Sequence, residues 1–183
     1  MTLAGTAQPL TSRELRDAFG TFSTGVTVIT GVRPDGVPVG TTANSFTSVS
    51  LDPPLILWCL ANQSASLAAF APRAPFAVHV LAQEQIELAL HFAQRGREKF
   101  DVDPHWRSHP RPPHLAGALC RLDCRVQGVQ PGGDHWIIIG EVLSVAREGG
   151  LPLAFHAGRF GRFVADPGPS PAQVWKSLHD EWF

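Results

Sequence analysis

Two long β-prone stretches, residues 118–129 and 135–146, follow one another with only Gln130-Pro131-Gly132-Gly133-Asp134 between them. A proline and two glycines at such a junction predict a turn, and so close a connection makes the two strands antiparallel. A doubly wound parallel sheet needs a helical crossover between successive strands, so this pair argues against it. At 183 residues and 44% hydrophobic, the chain has enough apolar material for one core.

The rest of the sequence adds strands with a few short helices. Thr11 and Glu14 form a capping-box pattern, and Leu15, Ala18, Phe19 and Phe22 recur at helical spacing, which predicts a helix over 12–21. Val26, Val28 and Ile29 open a strand, and Arg33-Pro34-Asp35-Gly36 turns it into a second strand over 37–42. Asp52-Pro53-Pro54 breaks the chain before an apolar strand over 55–60. A short helix over 64–70, a strand over 76–81 and a helix over 83–94 follow, then a Pro- and His-rich loop over 101–114. Short strands over 153–156 and 159–164 precede a Pro-rich linker. Together these predict a mainly β, antiparallel, closed or nearly closed barrel. The expected organisation is a loose leader over 1–10, a barrel domain over 11–165, and a linker with a terminal helix over 166–183.

Several function classes lose ground at once. The formal net charge is −1 with no block of like charge, which speaks against a nucleic-acid or anionic-membrane surface. The apolar runs are too short to span a bilayer, and no secretory pattern opens the chain, so the cytoplasm is the expected compartment. Cys120 and Cys124 share one strand about 13 Å apart, beyond disulfide reach. Cys59 reads as a small buried hydrophobe or as the neighbour of a ligand. His105, His109 and His114 match no metal-binding helix, because four prolines lie among residues 104–113. No metal site is expected. Neither a dinucleotide fingerprint nor a phosphate-binding P-loop is present.

The segment most suggestive of chemistry is Thr41-Thr42-Ala43-Asn44-Ser45-Phe46-Thr47-Ser48-Val49-Ser50. It is either an exposed hydroxyl-rich loop or a cradle of backbone N–H groups, hydroxyls and one amide around a polar ligand. Its position between two apolar strands, with Phe46 as an anchor, favours the cradle. Lys99-Phe100 is a surface cation beside a packing ring, or a phosphate contact. Gly133-Asp134-His135 is a turn, or places His135 at the mouth of the barrel. Arg159-Phe160 supplies a cation and an aromatic after the glycine of His156-Ala157-Gly158.

Taken in order, these segments resemble the short-chain flavin reductases, which supply reduced flavin to two-component monooxygenases. The resemblance spans about residues 15–163. It rests on Phe22-Ser23-Thr24-Gly25-Val26-Thr27-Val28-Ile29-Thr30, on Gly40 through the hydroxyl-rich segment to Leu51-Asp52-Pro53-Pro54-Leu55, on Lys99-Phe100, on Gly133-Asp134-His135, on Ile139-Gly140-Glu141-Val142 and on Gly158-Arg159-Phe160-Gly161. It implies an FMN-binding split β-barrel of Greek-key type, working as a homodimer with flavin near the subunit interface. It implies FMN or FAD as the flavin and NADH or NADPH as the reductant, with a flavin-dependent monooxygenase as partner. By resemblance, Thr41, Thr42, Ala43, Asn44 and Ser45 line the ring and ribityl side, Ser48, Val49 and Ser50 lie near the phosphate end, and Cys59, Leu60 and Ala61 pass beneath the ring. Ser66 and Lys99 meet the phosphate and Phe100 packs beside it. His135, the catalytic candidate, faces the nicotinamide nucleotide with Arg159 and Phe160. The family often carries tyrosine where Phe160 stands, and Met-Thr where Thr41-Thr42 stands. Two rival readings keep the flavin: an oxidase or oxygenase acting on an organic substrate, and an electron carrier without a nicotinamide site.

Overall fold

The computed structural model describes residues 9–95, 99–100, 106–107 and 112–177. In chain order the elements are α1 (Ser12–Phe19), β1 (Thr24–Gly25), β2 (Thr27–Val32), β3 (Pro38–Ala43), β4 (Thr47–Leu51), β5 (Pro54–Ala61) and a 3-10 turn (Leu67–Phe70). They continue with β6 (Pro75–Val80), α2 (Ile86–Ala93), β7 (Trp106–Arg107), β8 (His114–Leu115), β9 (Cys120–Gly132), β10 (His135–Arg147), β11 (Leu153–His156), β12 (Arg159–Arg162) and α3 (Pro171–Ser177). Most of the expected leader, most of the loop over 101–114 and the end of the terminal helix lie outside the described residues.

Local chemistry explains the element ends. Thr11 caps α1 as the sequence predicts: its hydroxyl accepts from the Glu14 N–H at 3.2 Å, and the Glu14 carboxylate accepts from the Thr11 N–H at 2.7 Å. The β9–β10 hairpin is tighter than expected. Gln130, Pro131 and Gly132 all join the ladder, leaving Gly133-Asp134 as the whole turn. Gly133 has φ +72°, the left-handed conformation such a turn requires and glycine adopts without strain.

Seven strands form the main sheet in the order β3-β2-β6-β9-β10-β5-β4, with every neighbouring pair antiparallel. The two edge strands, β3 and β4, are consecutive in sequence, and Asn44-Ser45-Phe46 alone joins them. Laid flat, a sheet of this width separates its edges by about 29 Å, whereas this linker spans at most about 14 Å. The sheet therefore curls until its edges approach. They do not share a hydrogen-bonded ladder. The barrel is split along this seam, as the family resemblance implies.

Curling gives the sheet an inside and an outside. Inside, Ile29, Ala43, Ile56, Trp58, Leu60, Phe76, Val78, Val126 and Ile138 pack with Phe70 of the 3-10 turn. Trp58, Phe70 and Phe76 form a triangle with ring centroids 4.8–6.3 Å apart. Such pairs add about 0.5–1.5 kcal/mol each beyond the area they bury. Outside, α2 lays Leu88, Ala89 and Phe92 over Val26, Val28, Leu81 and Leu153. The alternation of β2 serves both cores, Ile29 pointing inward and Val28 outward. A separate three-stranded sheet, β1-β11-β12, carries α1 beside it through the Ala157 N–H, which donates to Gly20 O at 2.8 Å.

Candidate functional site

The open edge of β3 is where a site becomes possible. Leu81 N donates to Val26 O, so the alternation along β2 turns Thr27, Ile29 and Gly31 toward β3. Their partners Ala43, Thr41 and Val39 face β2 in return, and Gly40 and Thr42 direct their backbone groups outward. Edge N–H and C=O groups of this kind are ready hydrogen-bonding partners.

Helix α2 is stitched to that edge. Thr42 Oγ1 donates to Ala89 O at 2.6 Å. Lys99 Nζ donates to Gly40 O and to Phe92 O, both at 2.8 Å, and lies 5.9 Å from the Phe92 ring centroid. The His91 ring, through Nε2–H, donates to Lys99 O at 3.0 Å, which fixes the lysine's own backbone. Burial holds the Lys99 ammonium below the usual lysine range. Phe100 packs edge-on against Phe92 at 5.6 Å.

The corner between β3 and β4 is tied to β5. Ser45 Oγ accepts from Cys59 N–H at 2.9 Å, extending the pairing of β5 past the start of β4. Phe46 packs against the inner core as the expected anchor, and Asn44 stays exposed. At the end of β5, Ala61 pairs with His135. Asn62 then holds the β9–β10 turn through N–H to Asp134 O at 3.0 Å and Nδ2 to Gly133 O at 2.9 Å. His135 Nδ1 lies 2.7 Å from Asp134 Oδ1, and the side chain is 44% exposed. That hydrogen bond from His135 holds the Asp134 carboxyl below the usual range.

Between these pieces lies a cleft of about 620 Å³. β3 forms one wall, the end of β5 and residues 63–66 another, and the end of α2 with Lys99 and Phe100 a third. Of the residues singled out in the sequence, Thr41, Thr42, Ala43, Asn44, Ser45, Cys59, Leu60, Ala61, Ser66, Lys99, Phe100 and His135 line it. Cys59 is half-buried at the cleft and not deep in the core. Ser48, Val49 and Ser50 lie on β4 outside it, with Val49 at a register shift and 46% exposed. Arg159 and Phe160 lie on β12, also outside it, and the Phe160 ring packs 5.4 Å from Phe155 against the outer core. The hydroxyl-rich segment is therefore the end of β3, a corner and most of β4, and its first half alone faces the cleft.

Arg33, Gln63, Ser64, Gln94 and Arg95 line the cleft without having been singled out. They come from three separate connections, and nothing local in the sequence links them. The set suits a flat, amphipathic anion: apolar Ala43, Leu60, Ala61 and Phe100, outward backbone groups on β3, hydroxyls at Ser64 and Ser66, and guanidinium groups at Arg33 and Arg95. A flavin nucleotide has this character, and the residues present fit it.

A second polar group lies away from the cleft. His79 is fully buried; its Nδ1–H donates to Val28 O and its Nε2 accepts from Leu115 N–H, both at 3.0 Å. His114 Nε2 lies 3.0 Å from Asp123 Oδ1, and Ser144 Oγ donates to Asp123 Oδ2 at 2.7 Å. His114, one of the three histidines weighed as metal ligands, thus has a carboxylate partner; His105 and His109 lie outside the described residues. Among the described residues no three His, Cys, Asp or Glu side chains come together as a metal site, and no helix is long and apolar enough to cross a membrane.

An antiparallel split barrel with a cleft along its open seam, lined by backbone edge groups, hydroxyls and cations, defines a class of nucleotide-cofactor-binding proteins. Comparison with known proteins gives the family. Residues 19–163 match the model of the flavin reductase like domain. The chain is 47% identical over 153 residues to the FMN reductase (NADH) SmoA of Agrobacterium fabrum, covering 83% of this chain and 86% of that one. It is 41% identical over 171 residues to the reductase component of a 4-nitrophenol 4-monooxygenase/4-nitrocatechol 2-monooxygenase of Rhodococcus opacus, covering 93% and 89%. Among solved structures, the NADH:FAD oxidoreductase SgcE6 of Streptomyces globisporus, in complex with NAD and FAD fragments, superposes with a TM-score of 0.78 at 39% identity, covering 88% of this chain and 100% of that one. The chain belongs to the flavin reductase-like family.

Proposed function

We propose that the protein is an NADH-dependent flavin reductase that binds FMN or FAD in the seam cleft and supplies reduced flavin to a partner monooxygenase. The observation that carries this reading is the cleft itself. One wall is the open edge of β3, and His135, the first residue of β10, lines the cleft where it pairs with Ala61 at the end of β5. The names of the relatives support the same activity. When bound, the flavin supplies a two-electron acceptor for hydride.

The chain's own task is to bind and align. The outward backbone groups of Gly40 and Thr42, with Asn44 and Ser45, hydrogen-bond the polar rim of the ring and the ribityl chain. Cys59, Leu60 and Ala61 cover an apolar face and exclude water. Ser64 and Ser66, with Arg33 and Arg95, receive the phosphate end. His135, oriented by the Asp134 carboxylate, places the nicotinamide by a hydrogen bond, because hydride transfer depends on stacking and distance more than on proton movement. No residue of the chain acts as a nucleophile. Two chains form the working unit, and Arg159 and Phe160, outside the single-chain cleft, serve the nicotinamide nucleotide in that homodimer.

The test is direct. Purified protein is titrated with FMN and FAD by fluorescence quenching, then mixed rapidly with NADH or NADPH. Binding of one flavin and fast bleaching of its absorbance are expected. Protein that takes up neither flavin and oxidises no reduced nicotinamide with either one present overturns the assignment.

A further inference from the structure

Lys99 is more constrained than a surface cation waiting for an anion. Two of its three N–H donors already serve main-chain carbonyls, Gly40 O on the open edge of β3 and Phe92 O at the end of α2. Its backbone is held by His91, and its neighbour Phe100 packs on Phe92. A second stitch, Thr42 Oγ1 to Ala89 O, joins the same strand and helix one helical turn earlier. Gly40 and Thr42 have outward-facing backbone groups on the stretch of β3 that lines the cleft.

We propose that Lys99 is a positioning residue: it clamps the end of α2 onto the open edge of β3, and so fixes the cleft width and the direction of the Gly40 and Thr42 groups that hold a flavin. It acts on the ligand through the strand edge and not through the phosphate. The partly buried site favours this use. An ammonium shielded from water makes strong charge-assisted bonds to carbonyls, and leaving those carbonyls without a donor loosens the seam. The inference rests on the flavin-reductase reading, and the experiment separates the two.

The measurement compares FMN with riboflavin, which has the same ring and ribityl chain but no phosphate. In Lys99→Met, a clamp predicts that affinity falls about tenfold for both flavins by the same factor. Lys99→Gln keeps N–H donors without charge, so it is expected to lose less, again equally for both. Hydrogen exchange over residues 86–93 is read in flavin-free protein and should be faster in both variants than in wild type. A loss confined to FMN overturns the clamp in favour of a phosphate contact. Unchanged affinity with unchanged exchange also overturns it. If Lys99→Met does not fold, the Gln variant carries both readouts. Wild-type protein that binds neither flavin sinks the reductase reading, while the exchange comparison still decides the clamp.

Discussion

At Gly40 a single hydrogen matters. A Cβ there would sit 2.6 Å from two atoms of the Phe92 ring and 3.3 Å from Phe100. Glycine is what lets α2 lie flat on β3, so Gly40→Ala is expected to cost roughly 1–3 kcal/mol of stability as Phe92 is displaced. Urea unfolding checks this, and stability equal to wild type would mean the helix tolerates the shift. His135 makes a different prediction. On its proposed role of placing the nicotinamide from one end of the cleft, His135→Ala should slow flavin reduction by NADH more than it weakens flavin binding. Stopped-flow bleaching set against a flavin titration separates the two, and equal losses would count against the role. Asn44, Ser45, Lys99 and His135, all of which line the cleft, were legible in the sequence through the ordered series of short runs that carries the family resemblance, since the shorter runs say little alone. Arg33, Gln63 and Arg95 were not, because a lone arginine or glutamine in a loop carries no sign of where the curl of the sheet will bring it.

Between elements, the same contrast holds. The β2–β3 and β9–β10 hairpins were readable from turn residues and β-branched runs, which act locally. β4 was not, since Thr47, Ser48, Val49, Ser50 and Leu51 are exposed or half-exposed and the alternation of Val49 and Leu51 with serines is too short to mark a strand. Its pairing with β5 comes from the sheet, not from its own sequence. Another tie between elements has a pH signature. His79 joins β6 to β2 and β8 while fully buried, with His114, Arg121 and Asp123 as the charged groups near it. Burial is the main reason its pKa falls from 6.5 to about 4. The native state thus disfavours the proton that the unfolded chain accepts. The stabilisation is complete above pH 6.5 and is lost as pH falls through the window down to about 4. The shift corresponds to roughly 3 kcal/mol across that window. Thermal melts at its two ends check it, and His79→Gln should flatten the difference. An equally steep acid loss in that variant would place the cause elsewhere.

Over the whole molecule, the sheet's curl decides what can meet. It brings the corner at Asn44-Ser45, the end of β5 and the end of α2 around one cleft, whereas β12 is an edge strand of the separate small sheet. Arg159 and Phe160, on β12, are not among the residues that line the cleft. α1 buries none of its residues, and Phe19 and Phe22 are 72% and 78% exposed. Apolar side chains left this open on α1 and its connection to β1, beside the sheet that carries β12, fit a surface covered by a second chain. If the homodimer supplies the nicotinamide side, diluting the protein until chains separate should raise the KM for NADH in step with the fall in mass seen by light scattering. FMN affinity should change less, because the cleft proposed for it is lined within one chain. In the assembled state, Arg159→Ala should raise the same KM several-fold, about 1 kcal/mol of lost binding, with kcat less affected. A monomer as active as the dimer at low NADH, together with a silent Arg159 variant, would confine the whole reaction to one cleft and leave β12 a purely structural hairpin.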